Sequence, residues 1–331
     1  MSVSTLTSAT HGLRDLFGRG MNLISDLYKL PADKQELDRL TLQHKIWRLM
    51  VDGLYPKEAE EAVQELVRRC EKEERRMKIL DIGSGSGSWA LEMAQKFPNS
   101  EVLGIDLIEH KSLTGAPNCS FVRADATTCL HRYIGQFDIV QCRSVAKHVL
   151  NPAIFTRDIG HTLRPGGIFF FADATADILN KEKQIYPHAS DHVLDPTVPL
   201  LQENKDGSWF ARWLWEVNKR WTTKARMNTD GDKLHLLLRA DQQFVNIHDY
   251  SYYSPIGWDG GDYVEGTNGS EVGNLMVLNV FDFLQASVPS LLASGMSEET
   301  VTIWTKNCRK EVLDPSKKLL LKWVIAWATK S

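Results

Sequence analysis

The sequence has few cysteines, almost no net charge and no long uninterrupted apolar run. Its 331 residues include five cysteines, an odd number with no C-x-x-C pair. A disulfide framework and zinc-ligand spacing are therefore both absent, and we expect a reducing, cytoplasmic location. The 39 basic and 42 acidic side chains nearly cancel, so no general field attracts nucleic acid or an anionic membrane.

Signal-peptide and membrane-anchor patterns are also missing from the sequence. Charged residues interrupt the first thirty positions, which leaves no apolar core for a secretory signal. The apolar stretch Leu319–Ala328 contains Lys322 and is too short to cross a bilayer. We expect neither a membrane nor a nucleic acid as partner, and the pattern indicates no particular oligomeric state.

Changes in hydrophobic periodicity divide the chain into four segments. Residues 1–76 predict an N-terminal arm and helical lid, and residues 77–176 predict the main part of a nucleotide-binding core. Residues 177–240 predict a helical insertion that caps the substrate, and residues 241–331 complete the core. A chain of this length holds one large domain with insertions or two smaller domains.

The N-terminal segment predicts a mobile arm followed by two helices. Residues 1–30 carry scattered glycines that suit a mobile arm or lid. Asp33 and Glu36 have the spacing of a capping box, and apolar residues then recur at helical spacing, which predicts a helix near 33–52. A second helix is predicted near 57–76.

From Lys78 onward, short apolar runs alternate with helical stretches or turns. This alternation predicts an α/β fold, a Rossmann-like doubly wound sheet that is mostly parallel. We expect seven strands, the last of them antiparallel, with N-terminal helices and a helical insertion before strand six. The predicted strands are Ile79–Ile82, Val102–Ile105, Ser120–Val122, Asp138–Val140, Gly167–Phe171, Phe244–Asp249 and one near 319–329, with late helices near 275–294 and 297–311.

A glycine-rich turn joins the first core strand to the next helix. The segment Asp81–Gly87 reads D-I-G-S-G-S-G. Such a turn lets a ligand approach the backbone and aims helix N–H groups at it, at the carboxyl edge of the sheet. A dinucleotide fingerprint needs its third glycine at position 88, which is Ser88. A nicotinamide-dependent oxidoreductase is therefore a weaker hypothesis.

Three aspartates at successive strand ends accompany this turn. The spacing D-x-G-x-G-x-G resembles motif I of the class I S-adenosylmethionine methyltransferases. Adenosylmethionine carries an ammonium group, which Asp81 can help to organise directly or through water. Asp106 can accept both ribose hydroxyls, and Asp125 can accept from the adenine amino group. The alternatives are a bare strand–helix connection for the turn and an N-cap role for a single strand-end aspartate.

The resemblance extends beyond the turn, over about residues 28–329. The segment Tyr28–Leu40 with His44, the blocks Ile79–Asp106 and Phe137–Arg143, and the late Pro-Ile-Gly-Trp are similar to the fungal LaeA-like methyltransferases. The resemblance implies S-adenosylmethionine as cofactor, with Tyr28 able to close over it. It implies these cofactor-binding residues: Tyr28, Asp81, Gly83, Ser84, Gly85, Asp106, Leu107, Asp125, Ala126 and Arg143.

The sequence departs from the family pattern on the acceptor side. The family often follows the fourth-strand arginine with Asp-Trp and places a glutamate after the fifth strand. Here residues 145–148 read V-A-K-H, and Asp173 follows the fifth strand. Only 27 residues precede Tyr28, and they contain no nuclear-type basic cluster. We therefore favour an enzyme that methylates a hydroxyl or amine of a small molecule in fungal secondary metabolism. The alternative is a regulatory LaeA-like protein that acts through complexes.

The segment after the fourth strand narrows the acceptor chemistry. It contains no Asn/Asp-Pro-Pro-aromatic motif, which disfavours the planar amines of nucleobases or amides as acceptors. No glutamate lies between Phe137 and Phe171, which disfavours a guanidinium acceptor. No metal trio is evident, so we expect no metal. For a hydroxyl acceptor, His148 is the candidate catalytic base, against a structural or solvent-facing role. An amine acceptor can react by proximity alone.

Aromatic residues in the insertion have two interpretations. Trp209 and His188 are candidate substrate contacts, with His192 a further candidate, whereas the face carrying Trp213 is expected in the core. Trp89, just past the glycine turn, is either a wall of the cofactor site or a core residue.

Overall fold

The computed structural model describes residues 13–108, 115–189, 207–221, 231–264 and 268–331. His192 lies outside these ranges. The strands are β1 Leu13–Leu16, β2 Arg19–Asn22, β3 Met77–Ile82, β4 Ser100–Asp106, β5 Cys119–Arg123, β6 Phe137–Arg143, β7 Leu163–Leu179, β8 Phe244–Ile256 and β9 Leu319–Lys330. The helices are α1 Lys34–Val51, α2 Glu60–Lys72, α3 Ser88–Lys96, α4 Ala126–Cys129, α5 Pro152–Thr162, α6 Trp209–Trp221, α7 Leu234–Ala240, α8 Gly269–Ala293 and α9 Glu298–Val312.

The central sheet has seven strands in the order β5-β4-β3-β6-β7-β9-β8. The last strand in sequence, β9, runs antiparallel to both β7 and β8, and the strands from β5 to β7 pair in parallel. The fold predicted from the alternating pattern is therefore confirmed. The strand order reverses between β3 and β6, and such a switch point opens a crevice at the carboxyl edge of an α/β sheet.

Alternating side chains of the strands bury the sheet on both faces. Ile79 and Phe170 pack with α2 and α3 on one face, whereas Leu80, Phe169 and Phe171 pack with α5 and α7 on the other. Parallel strands that are covered on both faces read as continuous apolar runs, as these do. A third cluster joins α1, α6, α8 and α9 to the part of the sheet nearest β9.

The N-terminal segment differs from the predicted mobile arm. Residues 13–22 form a hairpin of β1 and β2, whose turn at Phe17 and Gly18 has positive φ values of 51° and 77°. Asp33 ties the hairpin to α1, since its carboxylate accepts from Arg19 Nε at 2.7 Å and from the backbone of Glu36 at 3.0 Å. Asp33 is thus the N-cap, but the Glu36 side chain pairs with Arg39 and does not close the predicted capping box.

The later elements are longer than the sequence indicated. The fifth core strand, β7, continues to Leu179 and so enters the predicted helical insertion, within which α6 and α7 are helical. Helix α8 has the length and hydropathy of a membrane span. Within this fold, α8 packs against α1, α6, α9 and β8 and buries Met276, Val280 and Leu284 completely.

Candidate functional site

The glycine turn after β3 is pressed between two other parts of the chain. Gly83, Gly85 and Gly87 have φ values of +70°, +54° and +76°, a region that side-chain-bearing residues avoid. A Cβ on Gly83 would overlap the Val145 side chain, and one on Gly85 would lie 3.1 Å from Leu40 Cδ1. The turn therefore needs glycine both for its backbone angles and for its close contacts.

Asp81 ends β3 in a buried position. The side chain is 2% exposed, and Gln141 Nε2 lies 3.5 Å from its Oδ1. Burial raises the pKa of Asp81 to about 7, and the nearby Arg143 guanidinium opposes this rise. Oδ2 of Asp81 and Oγ of Ser84 are buried without a hydrogen-bond partner in the described part of the chain. Two polar atoms beside the turn are thus left for another group.

Asp106 ends β4, Asp125 lies two residues beyond the end of β5, and both carboxylates hold the local backbone. Asp106 accepts from the backbone N–H of Gly85 at 2.8 Å and of Ile108 at 3.0 Å. Burial raises the pKa of Asp106 to about 6, and these hydrogen bonds limit the rise. Asp125 is the N-cap of α4 and accepts through Oδ1 from the backbone of Thr127 at 2.9 Å. The structural role considered for a strand-end aspartate therefore applies to Asp125.

A cleft of about 1030 Å³, open solvent at its mouth included, lies over this edge of the sheet. Nine of the ten cofactor-binding residues implied by the resemblance line it, and Asp81 does not, because it is buried at the end of β3. His148 also lines the cleft. Lining residues that sequence reasoning did not assign to it are Ser25, Leu27, Leu40, Gln43, Ser86, Ile105, Ile108, Ala124, Thr127, Ser144, Val145, Val149 and Phe155.

A chain of three side chains orients Arg143 at the end of β6. Arg143 Nη2 lies 3.0 Å from His44 Nδ1, and His44 Nε2 lies 3.0 Å from Glu92 Oε1. Burial, with the charges of Arg143 and Arg48, lowers the pKa of His44 to about 2. The imidazole is therefore neutral, so Nδ1 accepts from Arg143 while Nε2–H donates to Glu92. The motif containing His44 was visible in the sequence, but its partners lie on other elements.

A second chamber of about 820 Å³ adjoins the cleft on the side of α6 and α8. Five residues line both spaces: Tyr28, Leu40, Gln43, Ser144 and His148. The ring of Tyr28 meets that of His148 edge-on, with the centroids 4.8 Å apart. The other residues that line the second chamber are Leu30, Arg39, Lys147, Asp173, Ala174, Thr175, Phe210, Leu214, Asn218, Met276, Asn279, Val280, Phe283, Leu321 and Trp323.

The structure does not bring the two predicted substrate contacts to this chamber. Trp209 packs 6.3 Å from Trp304, centroid to centroid, against the core, and His188 lies beside Trp215. The face of α6 that lines the chamber is Phe210, Leu214 and Asn218, at i, i+4 and i+8. For Trp209, a one-residue change in the assumed face of α6 accounts for the difference; His188 lies outside this helix.

Trp89 is a core residue and not a wall of the cleft. Its side chain is 1% exposed, and its Nε1–H donates to the Leu54 carbonyl at 2.8 Å. Groups of three or more residues suited to hold a metal ion are absent from the described ranges.

Comparison with known proteins identifies the family. The sequence profile described as a methyltransferase domain matches residues 55–240, more than half of the chain. This chain belongs to that family. S-adenosylmethionine is its cofactor, as the motifs indicated. The glycine turn with Ser84 and the carboxylates of Asp106 and Asp125, all of which line the cleft, fit a ligand of this methyltransferase that carries ribose hydroxyls and an amino-acid end.

Relatives of this methyltransferase include proteins of the LaeA-like family. The secondary metabolism regulator laeA of Coprinopsis cinerea is 27% identical over 303 residues, which cover 90% of this chain and 69% of that protein. The protein-methionine methyltransferase laeA of Emericella nidulans is 30% identical over 173 residues, which cover 48% of this chain and 37% of that protein. The predicted resemblance is confirmed.

A solved structure provides a further comparison. Phosphoethanolamine N-methyltransferase 2 of Haemonchus contortus, in complex with S-adenosyl-L-methionine, is 14% identical and has a TM-score of 0.40. The alignment covers 77% of this chain and 49% of that chain.

Replacing Gly83 tests the packing of the turn. Gly83→Ala adds a strained positive φ, worth about 1 kcal/mol, and an overlap with Val145 that adds about 1–3 kcal/mol of destabilisation. Gly135→Ala is the matched control, because its φ is +62° and no atom lies within 4 Å of an added Cβ. Urea unfolding measures both. Val145→Ala in the Gly83→Ala background should recover the part of the stability that the overlap costs. Equal losses of unfolding free energy for Gly83→Ala and Gly135→Ala would contradict the close packing of Gly83 against Val145.

The pKa of Asp81 predicts a pH-dependent contribution to stability. Its pKa is about 7 in the folded chain against an ordinary 3.8, so the folded state retains a proton that the unfolded state loses between these values. Stability from this group therefore falls as pH rises through that window, by up to about 1.4 kcal/mol per pH unit. Asp81→Asn should gain stability relative to the unmodified protein as pH rises from about 4 to about 7.

Urea unfolding across this pH range measures the difference between the two proteins. Asp262→Asn, the same replacement at an exposed position, serves as the matched control. A pH-independent difference for Asp81→Asn would show that Asp81 is ionised in the folded protein throughout.

Proposed function

We propose that this chain transfers the methyl group of S-adenosylmethionine to a hydroxyl or amine of a small molecule, within fungal secondary metabolism. The observation that carries the proposal is the second chamber, which adjoins the cofactor cleft and shares five lining residues with it. Its volume of about 820 Å³, open solvent at its mouth included, falls in the range of sites that hold a small organic molecule. The names of the LaeA-like relatives support the link to secondary metabolism.

Each part of the cofactor has a suitable set of residues in the cleft. The ribose hydroxyls suit Asp106, and the purine suits the segment from Asp125 to Thr127. The amino-acid end suits the glycine turn, where Arg143, which lines the cleft, can pair with the carboxylate. Asp81 is buried behind the turn and acts on the ammonium through its charge alone, without direct contact. When bound, S-adenosylmethionine supplies an electrophilic methyl group on a positively charged sulfur. Tyr28 lines both spaces, which supports the proposal that it covers that end.

We propose His148 as the base for a hydroxyl acceptor. It lines both the cleft and the chamber, so its ring lies where the two ligands would meet. A histidine at this position can take the hydroxyl proton as the oxygen becomes nucleophilic. Tyr28 packs edge-on against the ring and limits its rotation. An amine that reaches the chamber uncharged would need no such base.

A regulatory role through protein complexes is the alternative function. It is favoured by the 27% identity, over 90% of this chain, to a protein named as a secondary metabolism regulator. Affinity purification from cells separates the two functions. A stable stoichiometric partner, together with no methylated product from any metabolite extract and labelled cofactor, would favour the regulatory function. Labelled product from the extract would favour the enzyme.

Cofactor binding should depend on Asp106. We expect calorimetry with S-adenosylhomocysteine to give a micromolar dissociation constant, and Asp106→Ala to raise it by about 100-fold or more, because charge-assisted hydrogen bonds to the ribose are lost. Asp262→Ala, at an exposed position remote from the cleft residues, should leave the constant unchanged. Unchanged binding by an Asp106→Ala protein with normal thermal unfolding would reject the site.

Turnover of a hydroxyl acceptor should depend on His148. His148→Ala is expected to lower kcat by about 10²–10⁴-fold, while the dissociation constant of S-adenosylhomocysteine changes little. His131→Ala, an exposed histidine outside the cleft, is the control and should leave kcat unchanged. Once labelled extract has provided an acceptor, initial rates measure the effect. Full kcat of His148→Ala on a hydroxyl acceptor would remove His148 from the catalytic role.

A further inference from the structure

The charged groups of the second chamber occur in compensated pairs. Arg39, Lys147 and Asp173 are the charged residues among its described lining, with His148 at the junction to the cleft. Lys147 Nζ lies 3.5 Å from Asp173 Oδ1, and both side chains are largely buried, at 17% and 5% exposure. The Lys147 ammonium also donates to the Ala174 carbonyl at 2.5 Å. This pair therefore adds no net charge to the chamber.

Arg39 is compensated from behind the chamber wall. Its guanidinium makes two hydrogen bonds to the Glu36 carboxylate, at 2.6 and 2.9 Å, and Glu36 is completely buried. Bidentate pairing of this kind uses the geometry in which arginine and carboxylate bind most strongly. The remaining Nη1 faces Asn279, whose Oδ1 lies 3.4 Å away. Arg39 thus offers hydrogen-bonding capacity at most, and no free charge.

Most of the remaining wall is apolar and comes from three elements. Phe210 and Leu214 belong to α6, Met276 and Val280 to α8, and Trp323 to β9. A ligand charge brought into such a space loses its hydration, and the lysine, arginine and aspartate among the described lining residues are already paired. The apolar wall in turn stabilises a ligand in proportion to the apolar area that it covers.

We propose that the second chamber selects an uncharged, largely apolar acceptor, and that the Lys147–Asp173 pair sets this preference by cancelling its own charge. This inference rests on the proposed function and narrows it: a hydroxyl acceptor fits the chamber as it stands, whereas an amine must enter without its proton. Lys147 and Asp173 are specificity-determining residues here, and removal of either partner breaks the ion pair and its charge cancellation.

The test compares three probes built on one ring system. The probes are 2-naphthol, 2-naphthoate and 2-naphthylmethylammonium, which are neutral, anionic and cationic near neutral pH. Equilibrium dialysis in the presence of saturating S-adenosylhomocysteine measures binding without turnover. We expect the unmodified protein to bind 2-naphthol at least about tenfold more tightly than either charged probe. Val280→Trp, which fills the chamber, should abolish binding of all three probes and retain S-adenosylhomocysteine.

Two isosteric or near-isosteric variants should change the order of the affinities for the three probes in opposite directions. Asp173→Asn leaves the Lys147 cation without its carboxylate, so affinity for 2-naphthoate relative to 2-naphthol should rise by about tenfold or more. Lys147→Met leaves the Asp173 anion, so relative affinity for the ammonium probe should rise similarly. Thermal unfolding checks that each variant is folded, and either variant alone tests the pair.

The outcomes separate this inference from the proposed function. Equal binding of charged and neutral probes by the unmodified protein, unchanged ranking in a folded variant, or no binding of any probe while S-adenosylhomocysteine binds would each overturn the inference. The expected ranking together with no methylated product from metabolite extracts would support the charge rule and reject the proposed small-molecule activity.

Discussion

The close packing of the glycine turn is the constraint on which the rest of the site depends. Leu40 of α1 approaches the turn at Gly85 from one side, and Val145 approaches it at Gly83 from the other. Because no side chain intervenes, α1 and the segment after β6 reach the carboxyl edge of the sheet. The same two parts of the chain carry Gln43 and His148, which line both the cleft and the second chamber. The turn therefore shapes the boundary between the two spaces.

Burial governs the electrostatics around that turn. It raises the pKa values of Asp81 and Asp106, lowers that of His44, and lowers that of Arg143 to about 10. Each shift favours the neutral form of the side chain, as expected where water is excluded. A cationic ligand group would favour the ionised carboxylates. The carboxylates at the cleft have no paired cation among the described residues, whereas the charges that line the second chamber are already paired. The two spaces therefore suit different ligands.

The motif-level predictions succeeded where the relevant physics is local. A strand, three glycines and an acid lie within a few residues of one another, and strand ends in a parallel sheet meet at one edge, so the cleft followed from the sequence. The N-terminal hairpin was not predicted, because its register depends on the pairing of Asp33 with Arg19. For the predicted capping box, the N-cap at Asp33 was correct, but the Glu36 carboxylate accepts from Arg39 of the next turn and does not close the box.

The sequence by itself determined the sheet, its antiparallel last strand, the family and the cofactor, since these depend on periodicity and on residues close in the chain. Only the tertiary structure decided which face of α6 lines the acceptor chamber and which side chains orient Arg143. His44 and Glu92 are 48 positions apart, and Lys147, in the segment after β6, meets Asp173 of β7. Such contacts arise from how packed elements are placed relative to one another, and a local pattern carries no record of that placement.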